Sequence, residues 1–211
     1  MSIPARLLTG YNRFRSMRYP QEAALYETVA LHHSPSIMVI ACADSRVDPA
    51  TIFAARPGEL FVVRNVAALV PPYEETGTYH GTSAAIEYAV TALEVEDIVV
   101  LGHGMCGGVE AALRSSDNAE IGRFIGPWVS LLYNDRDSVK STMARETAQE
   151  QQRALERLTI KRSLSNLITF PFVASALNEE KLSLHGAWFS IAEGQLHWLN
   201  KDTQNFEKVG S

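Results

Sequence analysis

Residues 36–50, "SIMVIACADSRVDPA", combine the clearest strand pattern of the chain with its most unusual run of polar side chains. The run from Ile37 to Ala41 is continuous, apolar and rich in β-branched residues, as is typical of a short buried strand. A thiol, a carboxylate and a guanidinium follow at alternate positions, namely Cys42, Asp44 and Arg46. The stretch therefore predicts a buried strand that ends in chemically reactive side chains.

The rest of the first half of the chain alternates strand and helix patterns. Asp48-Pro49 has the residues of a helix N-cap and first helical position, and predicts a helix over "PATIFAA". Further strands are predicted at 59–65 and 97–103, and helical periodicity follows them in "TSAAIEYAVTALEV" and "GGVEAALRSS". This alternation predicts an α/β fold with a mainly parallel central β-sheet flanked by helices.

The two ends of the chain have different patterns. Residues 1–30 are predicted to form an N-terminal helical arm, and 122–178 are helix-like, with the charges of 144–158 most simply explained as a solvated helix face. Residues 182–200 alternate apolar and polar side chains around "AEGQ", which predicts a C-terminal edge strand or hairpin. Because no linker is visible, we expect a single domain over residues 1–211.

Composition limits the classes of protein to which this chain can belong. Of its 211 residues, 46% are hydrophobic and 20% are charged, which is ordinary for a globular protein. The formal net charge of -5 argues against a nucleic-acid partner, because nucleic-acid-binding surfaces are basic. No apolar run is long enough to span a membrane, and the N-terminus lacks the pattern of a signal peptide. We therefore expect a soluble, cytoplasmic protein that binds neither nucleic acid nor membranes.

Both cysteines of the chain lie next to the ends of predicted strands. Cys42 follows the first strand, while His103 closes the third and Cys106 comes three residues later. Because sites form at the carboxyl ends of parallel strands, these side chains are expected to face one crevice. Two sulfurs and one nitrogen are ligands that zinc prefers, and three protein ligands leave one tetrahedral position open, as in catalytic zinc sites.

Asp44 has two interpretations at such a site. It is either a fourth ligand that closes the site, or an acceptor for a hydrogen bond from water on the metal, with Arg46 holding its other oxygen. A neighbouring guanidinium keeps a carboxylate ionised and orients it through paired hydrogen bonds. A surface ion pair without function is the simpler explanation, but the position beside the expected ligands favours a catalytic pair.

Three other interpretations use the same residues. The segment "GHGMCG" (102–107) matches the G-x-G-x-x-G pattern of dinucleotide-binding proteins, but a helix-like segment follows where that pattern requires a strand bearing an acidic residue. Cys106 could instead be a nucleophile with His103 as its base. The third interpretation is a zinc-stabilised binding protein without catalysis. The Asp44–Arg46 pair argues against it, because a purely structural zinc site gains little from such a pair. Zinc analysis separates the metal interpretations from the first two, which need no metal.

Four segments taken together resemble the β-class carbonic anhydrases, and in particular their plant-like subtype. The segments are "CADSRVDP", "GELFVVRNVA", "PPYEETG…AAIEYAV" and "IVVLGHGMCGG", all within residues 33–111. A thinner similarity continues through "SLSNLITFPFV" and "LHGAWFSIAEGQL". The order of the Cys-x-Asp-x-Arg and His-x-x-Cys motifs, with a strand between them, is highly specific to this family.

The resemblance implies a zinc enzyme that reversibly hydrates carbon dioxide to bicarbonate and a proton. Cys42, His103 and Cys106 would bind one Zn²⁺ per subunit, and hydroxide on the zinc would attack carbon dioxide. Asp44 and Arg46 would form the catalytic dyad that orients this nucleophile. Hydrolysis of carbonyl sulfide or carbon disulfide at the same site is an alternative within the same fold.

The resemblance also implies a substrate pocket and an assembly. Gly107 would lie beside the substrate, and an apolar pocket for carbon dioxide, partly contributed by a neighbouring subunit, would be lined by Phe61, Val66 and Tyr88. His33 occupies the position of a glutamine that binds the substrate in plant-like members. A homodimer or homotetramer is expected, with the N-terminal helices packing on a partner subunit.

Three positions depart from the family pattern. His33 replaces the glutamine just mentioned, and an imidazole can still donate one hydrogen bond, although it is bulkier and titrates near neutral pH. Ala68 stands where an asparagine is usual. Val39 stands where the bicarbonate-regulated branch has tryptophan, which puts a regulatory bicarbonate site in doubt and favours an open zinc site.

Overall fold

A mixed β-sheet forms the centre of the fold in the computed structural model, which describes residues 3–77, 80–115 and 121–210. Within these ranges the strands are β1 (Ile37–Cys42), β2 (Leu60–Asn65), β3 (Asp97–His103), β4 (Ser183–Ser190), β5 (Gln195–Leu199) and β6 (Phe206–Lys208). Their order is β2-β1-β3-β4-β5-β6, with the first four parallel and the last two added antiparallel. The predicted sheet and the β4–β5 hairpin are confirmed. The short β6 is an addition, because three residues carry no readable periodicity.

Helices pack around the sheet and also form the N-terminal segment. In the described ranges they are α1 (Ala5–Arg13), α2 (Tyr19–Leu31), α3 (Pro49–Ile52), α4 (Gly81–Glu87), α5 (Gly107–Arg114), α6 (Ile125–Val129), α7 (Tyr133–Thr142), α8 (Ala148–Leu167) and α9 (Pro171–Asn178). Turns of π-helix follow α1 and α4, and 3₁₀ turns lie at Val66–Ala68 and Ser130–Leu132. No helix within the described residues is both long enough and apolar enough to cross a membrane.

Helix α3 is shorter than the sequence predicts. The Asp48 carboxylate accepts a hydrogen bond from the backbone N–H of Thr51, which confirms the predicted N-cap. The helix nevertheless ends at Ile52, because Ala54 has a left-handed φ of 50° that is incompatible with a continuing α-helix. Asp48 and Pro49 therefore close the turn after β1, which carries Asp44 and Arg46, instead of opening a long helix.

The central strands β1 and β3 are buried on both faces of the sheet. On one face their side chains pack against α8, α9 and the segment before α9, in a cluster that includes Met38, Ile40, Ile98, Val100, Ile160, Leu167 and Phe170. On the other face a smaller cluster contains Val39, Ala41, Val99, Leu101 and Ala187, with Phe53 and Trp198 packed against it. This double burial explains why both strands appear in the sequence as continuous apolar runs.

Helix α8 lies directly on the sheet at two glycines. A Cβ atom on Gly102 of β3 would lie 2.8 Å from Ile160 Cδ1, and one on Gly186 of β4 would lie 2.9 Å from Ile160 Cγ2. Both distances are too short for real side chains, so only glycine allows this approach. The close contact brings Glu156, one helical turn before Ile160, to the carboxyl end of β3.

The predicted N-terminal helices are present as α1 and α2, and neither contains a buried residue. Apolar side chains are nevertheless exposed along these helices and the π-helical turn between them, namely Leu7, Leu8, Tyr11, Met17 and Leu31. The packing of this arm on a partner and the single-domain organisation remain predictions.

Gly102→Ala is expected to destabilise the fold, because its Cβ would collide with Ile160. The loss in the free energy of unfolding should be about 1–3 kcal/mol, measured by urea denaturation. Gly126→Ala is the matched control in a helix where a Cβ meets nothing within 4 Å, and it should not destabilise the protein. Ile160→Val removes Cδ1 and should restore part of the loss in the double variant. A Gly102→Ala protein as stable as wild type would contradict the contact argument.

Candidate metal centre

Three predicted donor residues meet at one edge of the sheet. Cys42 is the last residue of β1 and His103 the last of β3, and these strands are parallel neighbours. Cys106 is the N-cap residue of α5, which follows β3. The ligand atoms of the three side chains all lie within 4.8 Å of one another, and all three residues are buried.

The arrangement of these atoms fits a zinc ion. Two sulfurs, each about 2.3 Å from a tetrahedral zinc, are separated by about 3.8 Å, and the two Sγ atoms lie 3.8 Å apart. His103 Nδ1 lies 2.9 Å from the carbonyl oxygen of Gly104, so this nitrogen is assigned the proton. Among the described residues, the buried Nε2 has no hydrogen-bond partner. A nitrogen lone pair thus remains available beside the two sulfurs, as a metal ligand requires.

The protonation of these groups also favours a cation between them. The pKa of the Cys42 thiol is lowered, chiefly by its hydrogen bond with Cys106, while that hydrogen bond together with burial raises the pKa of Cys106. Burial disfavours a charged His103, but the hydrogen bond to the Gly104 carbonyl and the nearby negative charges of Cys42 and Asp44 raise its pKa overall. The two sulfurs are close enough to interact through one proton, and a divalent cation bound by both would replace that proton.

Asp44 and Arg46 form a bidentate ion pair beside the donor atoms. Arg46 Nε donates to Asp44 Oδ1 at 3.0 Å, Nη2 donates to Oδ2 at 2.7 Å, and the backbone N–H of Arg46 donates to Oδ1 at 2.8 Å. The Arg46 guanidinium thereby holds the pKa of the Asp44 carboxyl well below its usual range. Asp44 Oδ2 lies 4.0 Å from His103 Nε2, so an ionised carboxylate stands next to the candidate metal position.

Arg64 stabilises the turn that carries this pair, although the sequence analysis does not single it out. Its Nε donates to the carbonyl of Cys42 at 2.9 Å, and its Nη2 donates to the carbonyls of Asp44 and Val47 at 2.5 and 3.1 Å. The only sequence signal is a cation at the end of an otherwise apolar strand pattern. That pattern does not reveal that the guanidinium binds backbone carbonyls of the neighbouring strand.

Glu156 is a second residue that the sequence analysis does not identify. The predicted solvated face of residues 144–158 is wrong here, because Glu156 is 3% exposed. Its Oε1 accepts a hydrogen bond from the backbone N–H of Cys106 at 3.1 Å. Burial raises the pKa of this carboxyl. A charged residue in a polar helical segment looks exposed in the sequence, and only the docking of α8 places it behind a candidate metal ligand.

Two of the expected substrate residues lie close to the donor cluster. Val66 directly follows Asn65, which pairs with Cys42 across β2 and β1. A Cβ atom on Gly108 would lie 2.5 Å from Val66 Cγ1, so the first turn of α5 packs tightly on Val66. A Cβ atom on Gly107 would meet nothing within 4 Å. Open space beside Gly107 and an apolar neighbour at Val66 are compatible with a small apolar substrate.

The other three expected substrate residues form a separate group, which we call the aromatic cluster. The rings of His33 and Phe61 are 6.3 Å apart, and those of Phe61 and Tyr88 are 5.8 Å apart. Phe61 lies four residues before Asn65 on β2, which is about 13 Å along the strand from the residue that pairs with Cys42. The aromatic cluster is therefore not part of the pocket beside Gly107 in the same chain.

The backbone conformation at Ala68 explains why asparagine is the usual residue at this position. Ala67 and Ala68 have left-handed φ values of 66° and 54°, a region in which asparagine is better tolerated than alanine. Hydrogen bonds with neighbouring side chains hold the turn at 66–68 in this conformation. Asn65 Oδ1 accepts from the N–H of Leu69 at 2.9 Å, and the Ser163 hydroxyl donates to the carbonyl of Ala68 at 3.1 Å.

Comparisons with known proteins place the chain in one family. The family model described as carbonic anhydrase matches residues 37–196. Beta carbonic anhydrase 3 of Arabidopsis thaliana is 34% identical over 191 residues, which cover 90% of this chain and 74% of that protein. The chloroplastic beta carbonic anhydrase 5 of the same plant is 36% identical over 180 residues, which cover 85% of this chain and 59% of that protein.

Solved structures are similar over nearly the whole chain. The β-carbonic anhydrase CcaA has a TM-score of 0.91 at 32% identity, with 96% of this chain and 98% of that chain covered. One of two tetrameric β-carbonic anhydrases from Sordaria macrospora has a TM-score of 0.80 at 30% identity, with 92% and 95% covered. The motif order, the donor cluster and these similarities agree, and the chain belongs to the β-carbonic anhydrase family of zinc-dependent lyases.

Proposed function

We propose that this chain catalyses the reversible hydration of carbon dioxide to bicarbonate and a proton, using one Zn²⁺ held by Cys42, His103 and Cys106. The observation that carries the proposal is the meeting of three buried donor atoms with an ionised carboxylate that an arginine orients. A zinc site that only stabilised a fold would gain nothing from such a carboxylate. Membership of the family supports the same reaction.

The role of each residue follows from the atoms that it presents. When bound, zinc supplies Lewis-acid chemistry that makes hydroxide available from water near neutral pH. Asp44 Oδ2 then accepts a hydrogen bond from the nucleophile and directs its lone pair away from the carboxylate, towards the substrate. Both oxygens of Asp44 already bind Arg46, and this favours its role as an acceptor over that of a fourth ligand.

The substrate pocket is proposed to contain residues of two chains. Val66 and the open space at Gly107 belong to the chain that holds the metal. The aromatic cluster of a second copy would complete the apolar wall, because its own metal site is too distant. There His33 would donate one hydrogen bond to the substrate, the task of glutamine in the plant-like relatives.

A second copy also explains the exposed apolar residues of the N-terminal arm. Leu7 and Tyr11 are one helical turn apart on α1 and are 65% and 58% exposed. Neighbouring apolar side chains of this size usually mark an interaction surface. The tetrameric relatives from Sordaria macrospora support a homodimer or homotetramer as the occupant of this surface.

His103→Ala is expected to lose both zinc and activity, because it removes the nitrogen ligand. Zinc content is measured by elemental analysis, and turnover by stopped-flow hydration of carbon dioxide with carbonyl sulfide as a competing substrate. His185→Ala is the matched control, since His185 pairs with Asp97 at the opposite end of the sheet and should retain one zinc per chain. A wild-type protein that hydrates carbon dioxide without metal would contradict the proposal.

Asp44→Asn is expected to keep zinc but to lower kcat by about 10²-fold or more, because a neutral amide cannot replace an ionised acceptor. Asp48→Asn provides the comparison: it lies in the same turn, and asparagine caps helices as well as aspartate. Its kcat should stay close to that of wild type. Full activity in Asp44→Asn would remove the carboxylate from the mechanism.

Leu7→Glu/Tyr11→Glu is expected to shift the protein towards monomer in sedimentation velocity experiments, because two charges would be buried in the proposed interface. Thr9→Glu/Asn12→Glu adds the same charge to the opposite side of α1 and should leave the assembly unchanged. If both double variants sediment like wild type, the arm is not part of the interface.

A further inference from the structure

One peptide group of the site is held at both of its polar atoms. The peptide that joins Met105 to Cys106 presents its carbonyl oxygen to Arg46, whose Nη2 donates to it at 3.0 Å. Its N–H group donates to Glu156 Oε1 at 3.1 Å. Because the two atoms belong to one planar unit, the dyad arginine and the buried glutamate together fix the orientation of that plane.

This peptide lies where the backbone is strained. Met105 has a left-handed φ of 57°, a conformation that is unfavourable for a residue with a side chain. The Met105 side chain is more than half exposed, so its own packing contributes little to holding this conformation. Such a conformation persists only when its surroundings determine it. The hydrogen bonds from Arg46 and to Glu156 are the described contacts that oppose rotation of the peptide.

Glu156 is itself held rigidly. Its Oε1 accepts from the Cys106 N–H and from Gln152 Nε2, both at 3.1 Å, and its Oε2 accepts from Trp188 Nε1 at 3.1 Å. The glycine contacts of Ile160 fix the height of α8 above the sheet. A buried carboxylate is costly to keep, and here three N–H donors orient it towards the metal-binding turn.

We infer that Glu156 is a positioning residue that couples a metal ligand to the catalytic dyad through the Met105–Cys106 peptide. On one side the peptide sets the direction in which Cys106 leaves the backbone. On the other side it provides Arg46 with an anchor besides Asp44. The inference rests on the proposed function only in requiring that zinc binds at the three donors.

Glu156→Gln tests the inference with almost no change in size. A glutamine amide has one accepting oxygen and no negative charge, so it cannot accept from both Cys106 and Trp188, and its hydrogen bond to the peptide is weaker than that of the carboxylate. Zinc transfer from the purified holoprotein to a chromogenic chelator should be about 10-fold faster or more, as is typical when a group that supports a metal ligand is lost. In the cobalt-substituted protein, the thiolate-to-cobalt absorption should shift, because the angle at Cys106 changes.

Trp188→Phe is the matched control. It removes the donor to Oε2 of the same carboxylate and leaves the hydrogen bond between Oε1 and Cys106 intact. Its stability should fall, but its zinc release and cobalt spectrum should remain those of wild type. Equal changes in Trp188→Phe and Glu156→Gln would reduce the role of Glu156 to general packing and overturn the inference.

Two further measurements separate the possible outcomes. If Glu156→Gln does not fold, Glu156→Asp keeps the charge but is too short to reach the peptide, and should also release zinc faster. In a double-mutant cycle with Arg46→Ala, the effects on zinc release should not be additive, because both residues act on one peptide. Wild-type protein that binds no zinc would refute the proposed function. Zinc-binding wild type with unchanged release in both Glu156 variants would refute only this inference.

Discussion

The parallel pairing of β1 with β3 is the constraint on which the metal centre depends. The register sets Ala41 opposite Leu101, so β1 and β3 end at the same edge of the sheet, β1 at Cys42 and β3 at His103. A slip of one residue would turn the apolar side chains of β1 to the wrong faces of the sheet and would move Cys42 relative to His103. Apolar packing on both faces of these strands stabilises the register. The donor atoms are therefore held in place by the core of the protein, which reduces the cost of ordering them when a metal binds.

Charge is distributed around the site in a way that suits a divalent cation. Two sulfurs, one of them with a lowered pKa, lie next to an ionised Asp44. The two nearby arginines do not compensate the sulfurs directly, since Arg46 binds Asp44 and Arg64 binds backbone carbonyls. Glu156 adds a further carboxyl behind Cys106. The negative charge of the sulfurs and carboxylates therefore favours binding of a divalent cation such as zinc.

The residues of one chain are divided between two regions. The donor atoms, the Asp44–Arg46 ion pair and Val66 share the carboxyl edge of the sheet, whereas the aromatic cluster lies further back along β2. From residue 3 onwards, where the structure describes it, the helical arm carries exposed apolar side chains but no buried residue. In the proposed homodimer or homotetramer, symmetry would allow the aromatic cluster of one copy to lie beside the metal centre of another.

The sequence by itself determined the α/β class, the buried strand at 37–41 and the Asp48 cap, because these depend on periodicity and on neighbours within a few residues. The expected ligands followed from their positions at the ends of two strands predicted to be parallel. The sequence did not determine the early end of α3 or the pairing of β6. The partners of Arg64 and Glu156 were decided only by the tertiary structure. Glu156 lies 50 residues from Cys106 in the chain, and their contact exists because two glycines let α8 settle on the sheet. The local sequence shows which side chains are polar, but the packing of helices on the sheet determines which buried groups these side chains bind.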